Sequence, residues 1–255
     1  MPTVPDEINL ERMRSSQVAA ALEAGYTTAV VPCGAVEQHG PHLPLFVDAE
    51  HGIRLGEEVA RRLGDALVAP TIRVGCSEHH MGFPGTVSLT RETFAAVCRD
   101  YCTSLARHGF QRICFLPSHG GNFQPLKEML TNLNAAVAPV CTVVAFTDLM
   151  AVIECWRRVA QEEAGLGERV GGHADIAESS VMLALHPDLV RENLAVRGFI
   201  PELDDDVIGR IIRDGFKSVT PTGILGDARG MTREVGERCI KELADLMAEA
   251  FRVDA

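Results

Sequence analysis

Three short stretches hold the residues that could do chemistry. The first reads Glu37-Gln38-His39-Gly40-Pro41-His42-Leu43-Pro44, with Asp48 four residues beyond. In an extended loop, residues i and i+2 point to the same side, so Glu37 and His39 can face one point. Asp48 opens a predicted helix, where it can cap the helix or reach back to that point. Carboxylates and imidazoles together suit Zn²⁺, Mn²⁺ or Fe²⁺. The second stretch is Ser118-His119-Gly120-Gly121-Asn122, whose glycines permit a tight turn and close backbone approach to a ligand. The third is Gly171-Gly172-His173, leading into a helix that bears Glu178. Each has a plainer reading on its own: a helix cap with loop histidines, a glycine turn, and a solvated helix glutamate.

The elements around them must place these residues. Residues 15–23 read as a short amphipathic helix. Residues 27–32 (TTAVVP) are rich in β-branched side chains and read as a buried strand. A turn-rich stretch follows to Val47, then a helix over 48–63 with Gly64 as its stop. Strands are expected at 66–72, 112–116 and 140–146, and helices at 91–107 and 124–136. Gly109 ends the 91–107 helix, and residues 118–122 read as a glycine turn. Strands alternating with helices argue for a mostly parallel sheet with helices on both faces. The first two chemical stretches then follow strand ends, where open α/β sheets bind ligands. Beyond Val152 the pattern weakens. Residues 162–172 read as a glycine- and charge-rich mobile loop, 174–185 as a helix ended by His186-Pro187, 197–230 as irregular, and 232–251 as a closing helix.

Composition narrows the function classes. The chain has 255 residues and a formal charge of −11, with 46% hydrophobic and 23% charged residues. This suits one globular domain over residues 1–255 and excludes a disordered chain. The acidic balance argues against nucleic acid, whose binding needs Lys and Arg to neutralise phosphates. The longest apolar run, residues 135–146, is too short to span a bilayer. The first residues show no apolar export segment. Eight cysteines are scattered with no Cys-x-x-Cys pair, as expected of packed thiols in a reducing cytoplasm. No G-x-G-x-x-G follows the first strand, which removes a dinucleotide-binding oxidoreductase. Residues 223–230 (GILGDARG) lack the Lys-Ser/Thr of a phosphate loop, and Asp227 there is expected to fix a loop or a subunit contact.

Taken together and in order, PCGAVEQHGPHLPLFVD, SHGGN and GGHADIAESSVM resemble the creatininase (creatinine amidohydrolase) family, and GFPGTVSL and GILGDARG fit the same pattern. The resemblance runs from about residue 28 to 240. It implies a three-layer α/β/α fold with a mostly parallel central sheet. It also implies two divalent metal ions (Zn, Mn or Fe) and often a homo-oligomer, a hexamer. Carried over by position, Glu37, His119 and Asp48 hold one ion; His39, Asp48 and Glu178 hold the other, with Asp48 shared. His173 matches a histidine beside the substrate and is the candidate acid for the leaving nitrogen. His80, Gly120, Gly121 and Asn122 are assigned to the substrate side.

The implied activity is hydrolysis of non-peptide C–N bonds in a small cyclic amide, amidine or ureide of the creatinine kind, by a metal-bridging hydroxide. The departures matter. Gly120-Gly121 replaces the Tyr-Glu pair of creatininases proper, and this HGGN form resembles formamide-deformylase branches and members in peptide-derived redox-cofactor gene clusters. Ile176 stands where many members have Glu. Trp156 is the one candidate for the aromatic substrate clamp. His42 is expected to steady the Pro-rich loop, and His51, His108 and His186 to be helix residues without chemistry. The reading from another class is a non-catalytic metal-binding or scaffold protein on this fold.

Overall fold

The computed structural model describes residues 5–200 and 205–253. Its central sheet is parallel, with β1 (Thr28–Cys33), β2 (Ala66–Val68), β3 (Arg112–Pro117) and β4 (Thr142–Ala145) in the order β2-β1-β3-β4. Alternation along the strands builds the layers. From β1, Val30 enters one core, and from β3 so do Cys114 and Leu116. That core holds α2 (Val47–Leu63), α5 (Leu149–Ala164), α6 (Ile176–Leu185) and α8 (Arg233–Val253). The intervening Ala29, Val31, Ile113 and Phe115 enter a second core with α1 (Ser15–Glu23), α3 (Arg91–Arg107) and α4 (Gly120–Val137). A period-two strand buried on both faces requires two helical layers, and the three-layer α/β/α fold follows.

Beside this body, β5 (Val170–His173) and β6 (Leu225–Gly226) form an antiparallel pair. The remaining helix, α7 (Asp205–Asp214), lies in the segment expected to be irregular. No helix among the described residues is long and apolar enough to cross a membrane. All eight cysteines are free and buried.

The differences from expectation have local causes. The 66–72 strand ends at Val68, two residues before Pro70, which has no N–H for a ladder. The expected glycine turn at 118–122 is in its second half helix, because His119 is the N-cap residue of α4. The expected mobile loop at 162–172 is instead the end of α5 followed by β5. Asp148 caps α5 by accepting from Ala151 N, and Gly165 closes it in the left-handed region (φ +69°). GILG supplies β6, where irregular chain was expected.

Candidate metal centre

The strand order sets the position of the site. The chain leaves β1 toward β2 on one side and leaves β3 toward β4 on the other, so β1 and β3 flank the point where the winding reverses. There the loops after two adjacent strands diverge and leave a crevice. Glu37 and His39 come from the loop after β1, Asp48 from the first turn of α2, and His119 directly follows β3. His173 ends β5 and Glu178 lies in the first turn of α6. Between them Ala174 takes the left-handed conformation (φ +52°), a strained state for a residue with a Cβ. Asp175 holds this turn, its Oδ2 accepting from Gly171 N and Gly172 N at 2.7 Å and its Oδ1 from Ala177 N at 2.8 Å.

The structure brings the five expected ligand residues together in two groups that share Asp48. Glu37, Asp48 and His119 form one; His39, Asp48 and Glu178 form the other, with one ligand atom from each residue within 4.8 Å of the rest. His39 Nε2 lies 3.4 Å from Asp48 Oδ1 and 3.7 Å from Glu178 Oε2. His119 Nδ1 lies 3.3 Å from Glu37 Oε1 and 3.4 Å from Asp48 Oδ2. These are ion-pair distances without hydrogen-bond alignment. Both Glu37 oxygens, His39 Nε2 and Asp48 Oδ2 are buried with no hydrogen-bond partner among the described residues. Ligand atoms about 2.1 Å from one ion at tetrahedral angles stand about 3.4 Å apart. The residues therefore fit a metal pair in spacing and in donor chemistry.

The backs of the two histidines are tied down. His39 Nδ1–H donates to the Glu37 carbonyl (3.1 Å) and His119 Nε2–H to the Cys76 carbonyl (3.0 Å). Each ring thus turns its other nitrogen toward the acids, as metal-ligating histidines do.

Charge accumulates among these groups. Burial alone would push His39 down, but Asp48, Glu178 and Glu37 override it and raise its pKa to about 10. His119 is raised well above its ordinary value against burial, by Glu37 and Asp48. Burial pushes Glu178 up to about 8 against the pull of His39. Asp48 is driven far down, against burial, by the two histidines.

His173 sits beside this cluster, with Nδ1 3.8 Å from Glu37 Oε1 and 4.0 Å from Glu178 Oε2. It also completes a third possible donor group with Glu37 and His39. Its Nε2–H donates to the Gln38 carbonyl at 2.9 Å. Burial and the neighbouring His39 hold it well below its ordinary pKa, so the ring is neutral.

Gln38 is a residue the sequence reading left out. Its side-chain nitrogen lies 3.0 Å from His80 Nδ1, 2.9 Å from His173 Nε2 and 3.1 Å from Gly223 O. An amide has two protons to give. With His173 Nε2 already a donor, they go to His80 and Gly223, which leaves the His80 proton on Nε2, 3.2 Å from Glu37 Oε1. Gly223 is required here, since a Cβ would stand 1.8 Å from Gln38 Oε1. The signal available in sequence was adjacency alone, between two expected ligands.

The residues assigned to the substrate side divide. Asn122 is fully buried, and its amide is spent on Cys76 N, Cys33 O and Gly34 O. It fastens three backbone segments under the site and has no group left for substrate. His80 is 1% exposed and stacks on Phe216 at 4.0 Å, behind Glu37. Gly121 is a packing requirement, because a Cβ there would lie 2.2 Å from Cys76 O and 2.4 Å from His119 Nε2. Gly120 is open, its nearest neighbour Leu149 Cδ2 at 3.8 Å. His79, half-buried, stacks on His119 at 5.7 Å. His42 bonds Ser179 Oγ at 2.7 Å and steadies its loop. Asp227 pairs with Arg229 at 2.6 Å and fixes the β6 turn. Trp156, the expected substrate clamp, is instead 4% exposed on α5 with its ring 5.7 Å from that of His51.

The family model for creatininase, described as creatinine amidohydrolase, matches residues 11–251. A Mycolicibacterium smegmatis protein named mycofactocin precursor peptide peptidase is 31% identical over 88% of this chain and 83% of its own. Creatinine amidohydrolase of Pseudomonas putida is 30% identical over 91% of this chain and 93% of its own. A solved structure titled as the manganese form of creatininase superposes with a TM-score of 0.78 at 26% identity, covering 98% of this chain and 99% of the other. With its ligand-type residues in two groups around one aspartate and a match over nearly its whole length, the chain belongs to the creatininase family of hydrolases.

Proposed function

We propose that this chain hydrolyses amide C–N bonds with two divalent metal ions. Glu37, Asp48 and His119 hold one ion, His39, Asp48 and Glu178 the other, and Asp48 serves both. The observation that carries this reading is the set of buried carboxylate and imidazole atoms spaced 3.3–3.7 Å apart, of which Glu37 Oε1 and Oε2, His39 Nε2 and Asp48 Oδ2 have no hydrogen-bond partner among the described residues. Such groups are costly to bury unless something charged satisfies them. Bound there, divalent ions polarise a substrate carbonyl and lower the pKa of water into the neutral range.

The chain's own residues supply the rest. His173, neutral and held through Nε2 by Gln38, presents Nδ1 to the cluster. There it takes a proton as water adds to the carbonyl carbon and delivers it to the departing nitrogen. Gly121 lets His119 pack against Cys76, and Asn122 locks the loops beneath.

The bond broken is a non-peptide amide, in a cyclic amide or ureide of the creatinine kind or in a formamide. A second reading, a peptide amide, is favoured by the open space at Gly120 and by the mycofactocin peptidase relative. The chain works as a homo-hexamer; the apolar Leu189, Leu194 and Ile212, exposed by 41%, 44% and 69%, support burial against copies of itself. Metal analysis of protein purified without added metal, joined to a hydrolysis screen over creatinine, cyclic ureides, formamides and short peptides, tests the reaction. Bound divalent metal with turnover of one class is expected. Absence of both would leave a scaffold protein. Light scattering checks the assembly, and a stable single-chain mass would remove the hexamer.

A further inference from the structure

Three histidines of the cluster are held in the same way. His39 Nδ1–H, His119 Nε2–H and His173 Nε2–H each donate to a backbone carbonyl, those of Glu37, Cys76 and Gln38. A carbonyl behind the ring is a usual support of a metal-ligating imidazole, yet the two positions proposed above use His39 and His119 and leave His173 out. His173 Nδ1 stands 3.8 Å from Glu37 Oε1, and with one atom each from Glu37 and His39 it forms a third donor group within 4.8 Å. The His39 and His173 rings lie 4.4 Å apart, tilted by 39°. All three residues are buried. Both Glu37 oxygens and His39 Nε2 have no hydrogen-bond partner among the described residues, whereas Glu178 Oε2 already accepts from Ala174 N.

The groups differ in composition. Each working group has two carboxylates and one imidazole; the third has one carboxylate and two imidazoles. Ligand type sorts divalent ions: Mn²⁺ suits carboxylate oxygen, Cu²⁺ suits imidazole, and Cu²⁺ stands highest in the general affinity order. His39 Nε2 has a single lone pair to give. It serves the His39–Asp48–Glu178 position or the third group, never both at once.

We propose that Glu37, His39 and His173 form an alternative, inhibitory position for an imidazole-preferring divalent ion, Cu²⁺ above all. An ion held there withdraws His39 from the working pair. It also occupies the His173 Nδ1 that carries the proton in the reaction. The chain then sorts metals by the position they fill, with carboxylate-tolerant ions in the working pair and copper in the blocking one. The site rests on the reading of this cluster as a metal centre.

Counting imidazoles per ion separates the positions, since only the third group offers two. Metal-free protein at pH 7 takes one equivalent of Cu²⁺, and its pulsed EPR spectrum is recorded. The remote nitrogen of each bound imidazole modulates the electron-spin echo, and combination lines appear only where two imidazoles share the copper. These lines are expected in the unmodified chain, in His119→Gln and in Glu178→Gln, and are expected to vanish in His173→Gln. Copper added to the two-zinc protein is expected to release one zinc ion per copper bound, read with a zinc indicator dye. Copper held by a single imidazole in the unmodified chain overturns the proposal and leaves the two-ion reading standing. Combination lines that persist in His173→Gln also overturn it, as does copper uptake with both zinc ions retained. Failure of the unmodified chain to bind either zinc or copper overturns this proposal and the metal reading together. Turnover is not part of this readout, so two imidazoles on copper in a chain without hydrolysis support the site and count only against the reaction.

Discussion

Asp48→Asn tests the sharing of one carboxylate between two ions. Its two oxygens face different histidines, Oδ1 at 3.4 Å from His39 Nε2 and Oδ2 at 3.4 Å from His119 Nδ1. The amide keeps the shape and removes the charge from both donor groups at once. A metal that binds only the folded chain stabilises it by about 2.7 kcal/mol at a free concentration 100-fold above its Kd. In a chain of this length each kcal/mol is worth about 2–4 °C of melting temperature. Two ions are therefore expected to raise Tm by about 10–20 °C. In Asp48→Asn each group keeps two of its three protein ligands, and the zinc-induced rise is expected to fall below about 5 °C.

The assay is the difference in Tm with and without zinc, read beside zinc content per chain. Any cost of the substitution to the metal-free fold cancels in that difference. Glu50→Gln is the matched control, because Glu50, on the same helix as Asp48, pairs with Arg73 and His186 from other segments and lies outside both groups. A variant that keeps two zinc ions and the full shift would refute the shared carboxylate.

Zinc uptake at pH 7 is expected to release protons, since His39 (about 10), His119 and Glu178 (about 8) hold them in the metal-free chain and must lose them to ligate. Calorimetry in buffers of different ionisation enthalpy measures this; uptake with no proton release would contradict it. Because these folded-state pKa values exceed the ordinary 4.5 and 6.5, their stabilisation is present at low pH and fades as pH rises. Burial holds His42, His51, His79, His80 and His173 below their ordinary value, which opposes this trend up to about pH 6.5; the metal-free Tm is therefore expected to fall between about pH 7.5 and 9, and a Tm that rises there counts against the charge arrangement. Gly121→Ala is expected to lower Tm and zinc affinity by displacing His119, while Gly120→Ala, with open space for its Cβ, leaves both unchanged; thermal melts with zinc titration compare the pair. His173→Ala is expected to lower kcat by about 10²–10⁴ with both ions retained; loss of an ion would make it a ligand.

Local pattern carried much of this protein. Thr-Ala-Val-Val before a turn-rich loop specified a buried strand, because β-branched residues favour the pleat whatever their partners. Glu37 and His39 were legible as a pair from i, i+2 spacing, and His119 from its place at a strand end. The 91–107 helix was legible to the residue, with its Thr90 cap accepting from Thr93 N. The end of α5 was misjudged although Asp148 and Gly165 mark its limits, because charge and glycine in residues 162–172 outweighed the caps. The start of α4 was misjudged because paired glycines read as a turn until His119 caps them.

Other features are decided only by contacts between distant segments. Gln38 meets His173 across 135 residues, and His42 meets Ser179 across 137. Asn122 changes from a substrate candidate to a structural tie once three backbone groups surround its amide. His51 meets the Trp156 ring, 5.7 Å away, only once α2 and α5 pack together. Propensity and periodicity act over a few residues, so they set strands, helices and turns. Which donors end buried, paired or facing a common point depends on how the two helical layers close over the β1–β3 crevice, and that is a property of the packed chain.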